Sequence, residues 1–187
     1  MDNTTTQDEQ YLLSIDPANV KTAFCIIRLS DMRPVDKGKI ENEAFWDMLP
    51  FLFKTYHITD VAIEYIQSFG MAVGATVFDT LFFIGRLWER ISSLKDESTR
   101  MEKILRKDEK MAICGSTQAK DGNIRIALID RFAMHDKKNG KGTKKEPDWF
   151  YGFAADMWQA YAVGIAYVTK YLEREVMYDN GRKATGV

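Results

Sequence analysis

Histidine and cysteine are scarce in this chain, two of each in 187 residues. Neither His57 nor His135 stands in a ligand spacing such as HExxH, which argues against a zinc site. Cys25 and Cys114 lie far apart and read as reduced thiols packed into the fold. No apolar run approaches the ~18–20 residues that span a bilayer, so no membrane partner is expected. The first ten residues, MDNTTTQDEQ, are polar and acidic, the opposite of a signal peptide's basic and apolar regions. The expected location is the cytoplasm. A phosphate-binding loop is missing too, because NGKGTKK does not satisfy GxxxxGK[ST]. No internal repeat is visible.

What is present is an ordinary globular composition, 45% hydrophobic and 28% charged. That length and composition suit a single domain with a sizeable core. The net charge of −1 hides a division. Between Arg100 and Lys145 there are 13 Lys and Arg against 6 Asp and Glu, and the excess of acid lies elsewhere. A segregated basic segment is the footprint of a nucleic-acid binder, though solvated helix faces and a basic loop would look the same.

The pattern along the chain predicts a mixed α/β domain. YLLSIDP, closed by Pro17, reads as a strand; Thr22–Leu29 and Arg33–Ile40 follow as an antiparallel meander. The stretch ENEAFWDMLPFLFKTY has helical spacing, with Pro50 expected to end or kink it. A strand at Val61–Ile66, a long helix from Gly74 to Ser92, a short strand in RMEKILRK and a short helix near Glu109–Ile113 come next. QAKDGNIRIALIDRFA reads as an amphipathic helix, HDKKNGKGTKKEPD as a mobile basic loop, and the last helix is expected from Ala154 to Glu173. The domain division is a disordered tail over 1–10, a folded domain over 11–175 and a flexible tail over 176–187. Alternation of this kind predicts a five-stranded mixed sheet flanked by helices.

Three carboxylates stand out. Glu64 interrupts the apolar run VAIEYI, where an unpaired carboxylate costs several kcal/mol (about 2–7). Asp16 closes the first strand. If the first and fourth strands are parallel neighbours, both acids arrive at one carboxyl-terminal sheet edge, where ligands of open α/β sheets gather. The plainer role for Asp16 is a turn residue before Pro17. Asp156 shares a helical face with Ala160, Val163 and Tyr167, and so is expected to point inward; the plainer role is a helix-start acid complementing the backbone dipole. Oxygen donors from two strand ends and one covering helix suit Mg²⁺, with Mn²⁺ as substitute. Two such ions can activate a water and stabilise the leaving oxygen of a phosphodiester.

Four ordered blocks carry a resemblance. SIDPANVKTAFCII, VAIEYIQSFGMAVGATVFDTLFFIGRL, CGSTQAKDGNIRIALIDRF and GTKKEPDWFYGFAADMWQAYAVGIAY span most of the chain. Together they resemble the RuvC-like Holliday junction resolvases of the RNase H-like nuclease superfamily, with the central blocks most similar to phage- and prophage-encoded members. The resemblance implies an RNase H-like fold and a metal-dependent endonuclease acting on branched DNA, working as a homodimer in DNA recombination and repair. It implies Asp16, Glu64 and Asp156 as catalytic metal ligands. Asp156 matches the first position of the family's helical Asp-x-x-Asp-Ala signature. The second position is Gln159, a departure, since an amide oxygen brings no charge; Gln159 is at most an auxiliary ligand. Lys120 falls where the family has a basic residue near the site. Lys120, Arg125, Lys137, Lys138, Lys141, Lys144 and Lys145 are the expected DNA contacts, and Asp121 is expected to be a cap or surface acid.

The Gly74–Ser92 helix carries more apolar surface than one sheet can cover. Val77, Leu81, Ile84, Trp88 and Ile91 form a stripe, widened by Phe78, Phe82, Phe83 and Leu87. The surplus fits either the last helix of the same domain or a second copy, whose two-fold symmetry matches a four-way junction. Two other functions stay open: a non-catalytic junction-binding protein, for which Gln159 speaks, and an actin-like or sugar-kinase ATPase, faintly echoed by DPANVKT.

Overall fold

Alternating side chains in the first strand already dictate a sheet buried on both sides. In β1 (Tyr11–Pro17), Leu12 faces one core while Leu13 and Ile15 face another, and all three are fully buried. β1 pairs antiparallel with β2 (Lys21–Arg28), and β2 with β3 (Pro34–Glu41). β4 (Ile58–Tyr65) lies parallel to β1, with Ile15 opposite Ile63, and β5 (Arg100–Leu105) lies parallel to β4. The strand order is β3-β2-β1-β4-β5, the five-stranded mixed sheet expected from the sequence. The computed structural model describes residues 9–67, 70, 72, 74–133 and 135–173. The expected tails therefore fall mostly outside the described residues, whereas Tyr11 opens β1 as expected.

Helices cover both faces. On one side α1 (Asn42–Thr55) and α2 (Ala75–Leu94) enclose a core with Leu13, Ile15, Phe24, Ile26, Val61 and Ile63. On the other, α3 (Arg106–Cys114), α4 (Asp121–Phe132) and α5 (Met157–Tyr167) enclose Leu12, Ala23, Cys25, Ile27, Ala62 and Ile104. Gly164 lets α5 sit down on β1 and β2. A Cβ there would lie 2.4 Å from Ile27 Cδ1 and 3.0 Å from Ser14 Oγ. The two cysteines are free, Cys25 buried and Cys114 half-buried, and both histidines are exposed. No helix among the described residues is long and apolar enough to cross a membrane.

Two expectations need correction, one of two outcomes foreseen for Pro50 is excluded, and an open choice for α2 closes. Of the two outcomes expected for Pro50, an end or a kink, the end does not occur: α1 runs five residues beyond it to Thr55. Leu49 and Leu52 on either side are fully buried, so tertiary packing outweighs the missing backbone donor. The last helix begins at Met157 rather than Ala154, and its final turn, Val168–Leu172, widens to π geometry. The surplus apolar face of α2 does not turn to α5, which packs in the opposite core. Phe83, Ile84, Leu87 and Ile91 are buried, while Phe78 and Phe82 are 60% and 72% exposed. The basic loop is more tightly tied than expected. Gly142 N–H donates to Lys137 O (2.8 Å), Thr143 N–H to Glu146 O (2.8 Å) and Phe150 N–H to Gly140 O (2.9 Å). Gly142, at φ 66°, is needed there, since a Cβ would meet Glu146 O at 2.3 Å.

Candidate functional site

The register of the sheet assembles the site. Asp16 on β1 is opposite Ala23 on β2, which is opposite Lys39 on β3. Glu64 comes one residue beyond the Ile15–Ile63 pair on β4. Side-chain alternation puts Asp16 on the α5 side with Leu12, and Glu64 with Ala62. Both acids thus reach the carboxyl-terminal edge on one face, as their sequence positions suggest.

The carboxyl groups of Asp16 and Glu64 are brought next to each other at this edge. Burial raises the Asp16 carboxyl far above its ordinary range, and Glu64, Asp156 and Glu109 add to the effect by like charge. Glu64 keeps 17% of its side chain in solvent. Beside it opens a cleft of about 310 Å³, lined by Pro17, Tyr65, Gln67, Leu105, Arg106 and Lys107.

Asp156 is brought to this edge, but not as an inward-facing helix residue. It occupies the N-cap position of α5, 46% exposed, and its carboxylate is paired with the Lys39 ammonium. The cause is the turn before it. Ala155 adopts φ 43°, a left-handed conformation that costs an L-residue about 1–2 kcal/mol, and this delays the helix start. Phe150 and Phe153, fully buried and packed edge-to-face, anchor that turn in the core. The expected three-acid cluster therefore does not close. Among the described residues no group of three His, Cys, Asp or Glu side chains converges as a metal-holding set. Gln159 lies half-buried one turn further along α5.

Three residues of the site escaped the sequence reading. Glu109 on α3 is fully buried, and its two oxygens accept from Arg106 Nη1 at 2.7 and 2.8 Å. Burial pushes its carboxyl up to about 8, against the pull of Arg106. Arg106 also lies 3.8 Å from Glu64 and pairs with Asp121, the exposed first residue of α4. Burial lowers the guanidinium's pKa, but Glu109, Glu64 and Asp121 together carry it above its ordinary value. Lys39 is the third. The i, i+3 spacing of Arg106 and Glu109 and the alternation of Lys37 with Lys39 were the available signals.

The expected DNA contacts divide. Lys120 is exposed at the N-cap of α4, its N–H donating to Asn123 Oδ1 at 2.9 Å. Arg125 stacks over the Trp158 ring, 4.7 Å from its centroid. Lys138, Lys144 and Lys145 are exposed, Lys141 is half-buried, and Lys137 Nζ donates to Glu146 at 2.7 Å.

No protein-family model matches the sequence, and no curated protein matches it. Solved structures do. Thermus thermophilus RuvC in complex with a Holliday junction substrate superposes with a TM-score of 0.64 at 9% identity, covering 86% of this chain and 93% of that one. A second Thermus thermophilus RuvC structure gives 0.62 at 10% identity, over 85% and 93%. The yeast mitochondrial Holliday junction resolvase Ydc2 gives 0.57 at 12% identity, over 93% and 83%. At these identities the likeness establishes a common fold, the five-stranded mixed sheet with its flanking helices.

Proposed function

We propose that this protein is a divalent-metal-dependent endonuclease that hydrolyses phosphodiesters in branched DNA, with Asp16, Glu64 and Asp156 as its catalytic acids. The observation that carries the proposal is the Asp16–Glu64 carboxyl pair at the carboxyl edge of parallel β1 and β4. An acid so strongly burdened by its neighbours fits a hard cation, because all the donors are oxygens and their negative charge is only partly balanced. Mg²⁺ or Mn²⁺, two ions per site, would supply water activation and stabilisation of the leaving oxygen. Asp16 and Glu64 would hold them, and Asp156 would join once its carboxylate leaves Lys39. Lys120, Arg125 and the loop lysines from Lys137 to Lys145 would bind phosphates. Phe78 and Phe82, exposed on α2, support a homodimer with two such sites. The cytoplasm is the compartment that suits the work, and a phage or prophage source rests on the four sequence blocks alone.

Cleavage of a synthetic four-way junction with Mg²⁺, beside matched fork, flap and linear duplex, tests the proposal. Metal-dependent incision of the junction in preference to duplex is expected. Gln159 and the Lys39–Asp156 pair favour a second reading, a junction-binding protein without turnover. Tight junction binding with no incision under Mg²⁺ or Mn²⁺ would establish it.

A further inference from the structure

Five carboxyl groups crowd this sheet edge, and Arg106 and Lys39 are two of the side-chain cations that serve them. The two cations differ in how they are held. Arg106 is fixed: buried Glu109 takes one nitrogen through two bonds, Asp121 takes another, and Glu64 stands near. Lys39 contacts one acid, Asp156, and keeps 30% of its side chain in solvent. It reaches there from the edge strand β3, two strands from Asp16, a lateral distance of about 9–10 Å. The small, buried Ala23 between them leaves the lysine's stem a path across the sheet. Lys37, two residues earlier and so on the same face, lies over the Phe153 ring at 5.2 Å. Together they extend a basic strip from the acids towards the β3 edge.

A lysine ammonium is a compact, well-hydrated charge on a flexible stem, suited to changing partners. It competes with any dication for the Asp156 oxygens, and a bound dication would repel it. A bound DNA strand would offer it a phosphate in exchange. Resting on the metal-dependent reading above, we infer that Lys39 is an exchangeable counter-ion. It holds Asp156 in the metal-free protein and moves to a DNA phosphate when a divalent cation takes that carboxylate. Metal and DNA binding are thereby coupled through one side chain. The lysine contributes to junction affinity in the metal-bound state and subtracts from metal affinity in the free state.

Lys39→Met keeps the stem and removes the charge. Mn²⁺ binding is measured calorimetrically without DNA, and junction binding by fluorescence anisotropy with a chelator and with Ca²⁺. Relative to wild type, the variant should bind Mn²⁺ about two- to fivefold more tightly, the worth of a half-exposed ion pair. Its junction affinity should fall by a similar factor with Ca²⁺ and stay unchanged with the chelator. Lys39→Arg should restore junction affinity, which loss of packing alone would not allow. Unchanged or weaker Mn²⁺ binding in Lys39→Met, or equal loss of junction affinity with and without Ca²⁺, overturns the inference. Wild-type protein that binds no Mn²⁺ would overturn the metal-dependent reading itself, and that result is visible before any variant is made.

Discussion

Asp16 and Glu64 sit side by side at the ends of two parallel strands, and Glu64 helps burial to raise the Asp16 carboxyl. The arrangement is unfavourable for a protein alone and favourable for one that meets a dication. Stability of the metal-free chain should therefore depend on this pair. Asp16 is raised above its ordinary value in the folded state, so its contribution is full below pH ~4 and is lost as pH rises towards the folded value. Asp16→Asn should consequently gain stability over wild type as pH increases from 5 to 8, by about 1–3 kcal/mol in chelator. Thermal unfolding at the two pH values measures it. Asp16→Asn, Glu64→Gln and Asp156→Asn should each abolish junction cleavage while leaving binding largely intact. Asp156→Asn cleaving as well as wild type would remove Asp156 from the site.

Arg106 answers to Glu109 in the same way that a dication would answer to Asp16. Arg106→Met leaves a fully buried carboxyl without its counter-charge, and Glu109, already raised to about 8, is driven higher. Because that group's folded value lies above its unfolded one, its contribution is lost as pH rises through the folded value. The variant should lose about 2 kcal/mol at pH 8 and less at pH 6. Denaturant melts at both pH values check the slope. A loss independent of pH would mean that Arg106 stabilises α3 by packing.

Much of this site was legible because its acids break a hydrophobic pattern. Glu64 stands in an apolar strand and Asp16 ends another, so the register followed from supposing β1 and β4 adjacent. Lys39, Arg106 and Glu109 break no pattern. Charges on a half-exposed edge strand or in the first turn of a short helix look like solvated surface, and only the tertiary fold shows Glu109 to be buried. Asp156 was found, yet its setting was misjudged. An alanine at positive φ has no sequence signal, and Ala155 is what moves the helix start past Asp156. The destination of α2's surplus face was undetermined for a related reason: periodicity shows which side is apolar, but not which side of the sheet a helix covers.

The loop lysines are not equivalent. Lys138, Lys144 and Lys145 are exposed, whereas Lys137 is paired with Glu146. Neutralising the first three should weaken junction binding and reduce the slope of log affinity against log salt by up to about 3. Glu146→Gln should do the reverse, releasing Lys137 and strengthening binding at low salt. An unchanged slope in the triple variant would make the loop a bystander.

Phe82 is the test of assembly. Charge at an exposed aromatic on a dimer face is costly in the complex and harmless in the monomer, so Phe82→Glu should shift a dimer to monomer without lowering the unfolding temperature of the protomer. Sedimentation velocity reads both species. Wild-type protein that is monomeric at all accessible concentrations removes the homodimer from the proposal.

Gln159 decides how complete the natural site is. It lies three residues after the N-cap Asp156, so an acid introduced there faces two opposing influences. The helix N-terminus favours it by about 0.3–1 kcal/mol. Asp156, one turn away, opposes it by a few tenths, about 0.2–0.5 kcal/mol. Gln159→Asp should therefore change metal-free stability by less than about 1 kcal/mol in either direction. Its effect on cleavage is more telling. Asp is a methylene shorter than Gln, and Lys39 already ties the neighbouring Asp156 carboxylate in the metal-free state. If Asp156 completes the site when Lys39 departs, a further carboxylate adds nothing, and the Mg²⁺ dependence of cleavage should match wild type. That is the expected outcome. A clear shift of the titration to lower Mg²⁺ in Gln159→Asp would instead mean that the natural site lacks a ligand, and would strengthen the case for a protein that binds junctions without cutting them.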